Sequence, residues 1–251
     1  MRLSYSEQEA ILKSFYEVFG EGKIYLFGSR VDDETKGGDI DLYVIPKNRD
    51  ELARKKIDFL LSLKNKIGEQ KIDVLIAQDQ SRMVEQEAIH KGVALNLTRV
   101  KINKYLNECN KHKMRIEKSY AKVKEIFPLS APRYKNLSDD EVEAIDQYLF
   151  RFSKLQDTLG QRVFKLIVSE YEENIETLTF IDILNRLEKI GILEDANIWK
   201  KLRDVRNDIA HQYDDEPQQM AEALNNIFAY RNELLNIFDN IEKFYKDKGI
   251  Q

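Results

Sequence analysis

The chain has 251 residues, room for one large domain or two ordinary ones. An apolar share of 42% is that of a globular protein, a charged share of 33% suits helices with solvated outer faces, and no run approaches the roughly 18 consecutive apolar residues of a membrane span. Cys109 is the only cysteine, which excludes an internal disulfide and a cysteine-rich zinc site, and Met1 to Glu7 has no apolar signal core, so a cytoplasmic protein without membrane contact is expected.

In chain order, residues 6–19 place Ala10, Ile11, Phe15, Val18 and Phe19 on one helical stripe. Ile24 to Phe27 reads as a short buried strand ending at Gly28. Ile40 to Ile45 reads as a second strand, stopped by Pro46. A helix follows over 49–67, a third strand over Ile72–Ile76, and a helix over 81–91 that ends near Gly92. Strand signals then disappear. Residues 101–126 read as helix until Pro128 and Pro132 interrupt. Ser138-Asp139-Asp140-Glu141 is a capping box opening a long helix that carries Ile145, Tyr148, Phe152, Leu155, Leu159, Val163 and Leu166. Further helices are predicted over about 179–190, from Asp195 towards His211, and from Pro217 to about 245. The fold class is therefore α+β: a small mixed sheet with helices over residues 1–100, then an antiparallel helical bundle over 101–251, with the border between about 97 and 112.

Charge divides along the chain too. The net charge is −4, yet residues 101–135 hold ten Lys/Arg against three Asp/Glu, while 136–251 hold fourteen against twenty-four. The basic stretch is suited to nucleic-acid phosphates, but a solvated helix face or a partner for the acidic half is the better-supported reading.

The chemistry concentrates in two places. In the first, the turn Gly28-Ser29-Arg30 closes one strand, Asp39 and Asp41 stand at the start of the next, and Asp73 sits within a third. Residues i and i+2 of a strand share a face, so Asp39 and Asp41 present two carboxylates side by side, which repel unless a cation lies between them. Mg²⁺ takes oxygen ligands and keeps nucleotide phosphates in its shell, and Asp73 can complete a two-metal clamp. Within an apolar strand an unpaired Asp73 is costly, which favours a functional reason for it. Gly28 lets the backbone approach phosphates and Ser29 can donate to them; Arg30 either steadies the triphosphate or holds the loop.

At these residues the chain resembles the minimal nucleotidyltransferases of the polymerase-beta-like superfamily, over roughly residues 10–98. The resemblance implies that Asp39, Asp41 and Asp73 are catalytic and bind two Mg²⁺ ions, that Gly28, Ser29 and Arg30 bind the nucleotide (ATP as substrate), and that pyrophosphate leaves. Gly37-Gly38 stands where many relatives have a hydroxyl residue.

The second place is Arg206-Asn207-Asp208-Ile209-Ala210-His211-Gln212-Tyr213. Arg206 can neutralise a phosphate, and a His near a helix C-terminus can serve as base or acid. Alone, such a pair is more often a cap and a surface ion pair. The order resembles the Arg-x4-His-x-Tyr signature of HEPN domains, helical bundles found beside minimal nucleotidyltransferases in toxin–antitoxin pairs, and Phe152 to Asp157 with Gly160 and Phe164 resembles their long helix. The resemblance covers roughly residues 110–247. It implies Arg206 and His211 as metal-independent ribonuclease residues acting on RNA, Tyr213 as the acceptor of AMP, and a homodimer. Asp157 either assists or is a capped acid. The competing reading is an antibiotic-type nucleotidyltransferase whose bundle binds a small hydroxylated acceptor; a further one is a bundle that only dimerises or binds RNA. His90 and His112 have no ligand spacing around them, and Trp199 reads as core.

Overall fold

The computed structural model describes residues 1–32, 38–79, 81–172, 174–211 and 216–247; for Ala210, His211 and Asp247 it describes the backbone alone. The chain divides into two compact units, Met1–Lys101 and Ile102–Gln251.

The first unit is built on a four-stranded mixed sheet of order β3-β2-β1-β4, formed by β1 (Gly22–Phe27), β2 (Ile40–Pro46), β3 (Ile72–Ile76) and β4 (Val93–Ala94). β2 runs antiparallel to β1 and parallel to β3; β4 is antiparallel to β1. One face carries Ile24, Leu26, Ile40, Leu42, Val44, Ile72, Val74 and Ile76. It packs against α1 (Tyr5–Phe19), through Ile11, Phe15 and Phe19, and α2 (Leu52–Ile67), through Phe59 and Leu63. Ser4 caps α1 in a reciprocal box with Glu7, satisfying the free N–H groups of its first turn. The other face carries Tyr25, Phe27, Tyr43, Ile45 and Leu75 and meets α3 (Met83–His90) through Ala88 and Ile89. The alternation that sorts these two sets is the period-2 pleat of the strands. The two-residue β4 is too short for any such signal and was not foreseen.

In the second unit, α4 (Leu97–Val123) is followed by α5 (Ala131–Lys135), α6 (Asp139–Thr158), a π-helical turn at Leu159–Val163 and α7 (Phe164–Val168). Then come α8 (Phe180–Lys189), α9 (Ala196–His211), α10 (Pro217–Ala229) and α11 (Arg231–Asp247). They share one core, centred on Tyr148, Phe152, Leu155, Phe164, Trp199, Leu202 and Phe238. Ser138 and Glu141 form the anticipated capping box at the start of α6. Three expectations need correction. Pro132 does not merely interrupt: it sits in the first turn of α5, where its missing N–H costs nothing. The long helix widens into a π turn around Gly160. The last helix is broken at Tyr230, where ψ swings to 8° without a Pro or Gly to announce it.

Candidate functional site

The loop after β1 is a single 3₁₀ turn, Gly28–Arg30. Gly28 has φ +71°, and a Cβ placed there would lie 2.3 Å from Asp41 Oδ2. Only glycine combines that backbone with so close an approach to the carboxylate. Arg2 donates from Nη2 to the Ser29 carbonyl at 2.8 Å, and the Arg2 N–H donates to the Arg30 carbonyl at 2.7 Å, so the segment before α1 straps the turn. The Arg30 side chain is 14% exposed. Its guanidinium donates to the Gly38 carbonyl (Nε, 3.1 Å), to Gln70 Oε1 (3.2 Å) and to Glu7 Oε1 (3.4 Å). Through these bonds Arg30 ties α1, the approach to β2 and the approach to β3 together. Gly37 lies outside the described residues.

Register does the rest. Phe27, Asp41 and Asp73 are cross-strand neighbours on β1, β2 and β3, with Asp39 just before β2. The Asp41 carboxyl is held above its ordinary pKa by burial first, then by the negative charges of Asp73 and Asp39; Lys71 and Arg30 pull the other way. Lys71 bridges to Asp39, and its ammonium pKa is raised by that bond first and by the charges of Asp39, Asp73 and Asp41. An ammonium thus lies in the field of all three carboxylates.

Among the described residues no three His, Cys, Asp or Glu side chains converge as they stand on a point that a metal ion would occupy. The cause is visible: Asp39 is turned to Lys71, as the mutual repulsion of like charges favours. The donor set nonetheless fits a hard divalent cation, being two carboxylates on adjacent strand positions and a third just before β2 whose like charges raise Asp41, beside a glycine that leaves room for no side chain. Asp73 corrects one step of the sequence argument. It is exposed while Ile72 and Val74 face the core, so no burial cost attaches to it.

A fourth carboxylate on this side of the sheet went unforeseen. Glu85 on α3 is fully buried and accepts the Tyr43 hydroxyl at 2.8 Å, two positions along β2 from Asp41. Burial alone would raise its pKa; the bonds from Tyr43 and from the Asp79 and Gln78 N–H groups, with Arg82 at 3.5 Å, more than offset this and lower it. The available signal was Tyr43 itself, since a phenol in an apolar strand needs a partner for its hydroxyl.

In the helical unit, Arg206 on α9 donates from Nη2 to both carboxylate oxygens of Asp157 on α6, each at 3.4 Å. Asp157 is therefore an ion-pair partner of Arg206. His211 ends α9, its side chain not described, and Tyr213 lies outside the described residues.

Residues 10–98 match the family model described as "Polymerase beta, Nucleotidyltransferase". No curated protein matches the chain, and no solved structure matches it. The matched segment takes in α1 from Ala10 onward, all four strands and all three aspartates, so over residues 10–98 the first unit is similar to nucleotidyltransferases of the polymerase beta type.

Proposed function

We propose that the sheet unit transfers AMP from ATP to Tyr213 of the same kind of chain, silencing a ribonuclease of the HEPN type built on Arg206 and His211. The observation that carries the transfer is the strand register, which sets Asp41 beside Asp73 with Asp39 two residues upstream and Gly28 closed against Asp41. Asp39, Asp41 and Asp73 would hold two Mg²⁺ ions, which supply neutralisation of the triphosphate charge when bound. The Gly28–Arg30 turn positions the phosphates, Ser29 donating to them, and Arg30 keeps the turn in place. Asp73, at the exposed edge, takes the proton of the acceptor hydroxyl as its oxygen bonds to the α-phosphorus. The bond from that phosphorus to the bridging oxygen breaks, and pyrophosphate leaves.

The second half of the proposal rests on the order Arg206, His211, Tyr213 and on the Arg206–Asp157 pair. His211 deprotonates the RNA 2′-hydroxyl and Arg206 stabilises the charge that builds on phosphorus, across a homodimer. AMP on Tyr213 adds bulk and negative charge two residues from His211, repelling RNA phosphate.

Intact mass after incubation with ATP and Mg²⁺ tests this. The expected result is a gain of one or more AMP units, lost in Tyr213→Phe and in the double variant Asp39→Asn with Asp41→Asn. No adduct on the wild-type chain would remove Tyr213 as acceptor and leave the small-molecule reading; transfer by the double variant would remove the metal-site assignment.

A further inference from the structure

The Gly28–Arg30 turn has little to hold it from within. It is a single 3₁₀ turn, closed by a bond from the Val31 N–H to the Gly28 carbonyl at 3.3 Å. Short 3₁₀ pieces have poor hydrogen-bond geometry, and glycine gives up more conformational freedom on being fixed than any other residue. A turn of this kind, left to itself, samples several forms from which a phosphate would have to select one.

Support comes from outside, from the segment before α1. The Arg2 N–H donates to the Arg30 carbonyl at 2.7 Å, Arg2 Nη2 to the Ser29 carbonyl at 2.8 Å and Arg2 Nε to the Asp32 carbonyl at 3.1 Å. One residue thus holds three carbonyls between positions 29 and 32. The planar fork of a guanidinium suits this, because its donors point in fixed, separate directions, whereas an ammonium is a point charge on a flexible stem.

Arg2 is itself fixed. The next residue, Leu3, is buried in the core of the sheet unit together with Ile11 and Phe15. Its carbonyl accepts from Gln8 Nε2 at 3.0 Å, and Gln8 is 5% exposed. Ser4 then caps α1 with Glu7, and Glu7 also accepts from Arg30 Nη1 at 3.4 Å and from Gln70 Nε2 at 3.3 Å. The brace and the turn therefore hang from the same anchored start of α1. Arg2, Leu3, Glu7 and Gln8 all precede residues 10–98, so the brace lies outside the segment that matches the family model.

We propose that Arg2 is a positioning residue of the nucleotide site. It keeps the carbonyls of Ser29, Arg30 and Asp32 drawn to its own side, which holds the turn in the form from which Ser29 donates to phosphate. Fixing a binding loop in its bound form raises affinity by removing the cost of ordering it on binding. Arg2 acts on the triphosphate through the turn, and not through the carboxylates of Asp39, Asp41 and Asp73. This role rests on the aspartate site being one for a metal-bound nucleoside triphosphate, and it requires neither Tyr213 as acceptor nor a ribonuclease.

Calorimetric titration of the full chain tests it, with α,β-methylene-ATP in Mg²⁺, which reads binding without transfer, and separately with Mn²⁺ alone. Arg2→Ala removes two of the three bonds. It should bind the analogue about tenfold more weakly while its Mn²⁺ affinity stays within about twofold of the wild type. Arg2→Lys keeps the positive charge and loses the fork, so it should resemble Arg2→Ala more closely than the wild type. In both variants amide exchange at Ser29, Arg30 and Val31 should accelerate by about tenfold. The amides of β2 and β3 should keep their protection, which also establishes that the sheet unit is folded. Analogue affinity that Arg2→Ala leaves unaltered would overturn the assignment. Full affinity in Arg2→Lys would do so too, making Arg2 a source of charge alone, as would equal losses of analogue and Mn²⁺ affinity, making it a prop for the whole unit. A wild-type chain that binds no analogue in Mg²⁺ would remove the nucleotide reading itself, and this role with it, whereas binding by the wild type confines any failure to the Arg2 assignment.

Discussion

At Asp41 the needs of stability and of chemistry oppose each other. Its carboxylate is partly buried, pressed against Gly28, and faces the charges of Asp73 and Asp39, with Lys71 and Arg30 as the nearby cations. A raised pKa in the folded state means that folding favours the protonated acid. The ionised form therefore costs stability above the folded-state pKa, and that cost fades as pH falls towards the ordinary carboxylate value of about 3.9. Asp41→Asn is thus expected to raise the thermal midpoint at pH 7 in EDTA, by a margin that closes near pH 4. Adding Mg²⁺ should reverse the ranking. A cation that binds only the folded wild type adds about 2.7 kcal/mol at a hundred times its Kd, and the asparagine variant should gain far less. Calorimetry with and without Mg²⁺ checks both arms. An Asp41→Asn protein less stable than wild type at pH 7 without metal would contradict the charge argument, and equal Mg²⁺ shifts in the two proteins would contradict the cation site.

Among the elements, the π turn at Leu159–Val163 gives a test in which two effects compete. Alanine in place of glycine inside a helix is favourable by up to about 1 kcal/mol. At Gly160 the new methyl would meet Trp199 at 2.8 Å, and Trp199 is 1% exposed, locked edge-to-face against Phe164 at 4.5 Å. Overpacking a filled core costs about 1–3 kcal/mol, so the clash outweighs the propensity gain. Gly160→Ala should unfold at lower denaturant concentration, by about 1–2 kcal/mol net, with a changed Trp199 emission. A more stable variant would mean that the indole yields freely to the new methyl. This element also marks how far the sequence could be read. Helical and strand periods located α1, α2, β1, β2, β3, α6 and α8 because each buries one face over several turns or pleats. They could not give β4, two residues long, nor the π turn, since one extra residue per turn barely disturbs an apolar stripe. The break at Tyr230 has no Pro or Gly to betray it. The aspartates were legible because i, i+2 spacing needs only the strand itself. The bridge from Lys71 to Asp39 and the placement of Asp73 on an exposed position needed the β2–β3 register, and the Glu85–Tyr43 bond needed the docking of α3, neither of which local pattern contains.

For the whole molecule, composition allowed two domains, and the structure gives each unit its own core. The sheet unit is held by Ile11, Phe15, Leu26, Leu42, Phe59 and Leu63, and the helical unit by Tyr148, Phe152, Leu155, Phe164, Trp199 and Phe238; no buried residue belongs to both clusters. Where cores are separate, local stability follows the core and not the chain. Phe152 is fully buried on α6, with Tyr148 beside it at 6.0 Å between ring centres. Truncating it to alanine removes an aromatic ring from a filled core, at a cost of about 3–5 kcal/mol, a large part of the roughly 5–15 kcal/mol that holds an ordinary domain together. In Phe152→Ala, amide hydrogen exchange should accelerate by two orders of magnitude or more, about 1.4 kcal/mol for each tenfold, in α6, α8 and α9. The amides of β1, β2 and β3 should keep their wild-type protection. The same comparison of the sheet amides at Asp41 and its neighbours with and without Mg²⁺ then isolates the sheet unit from damage to the bundle. Equal loss of protection in β2 and α6 would mean that the two cores unfold as one cooperative body, and the aspartate site would then depend for its stability on a bundle that supplies none of its carboxylates.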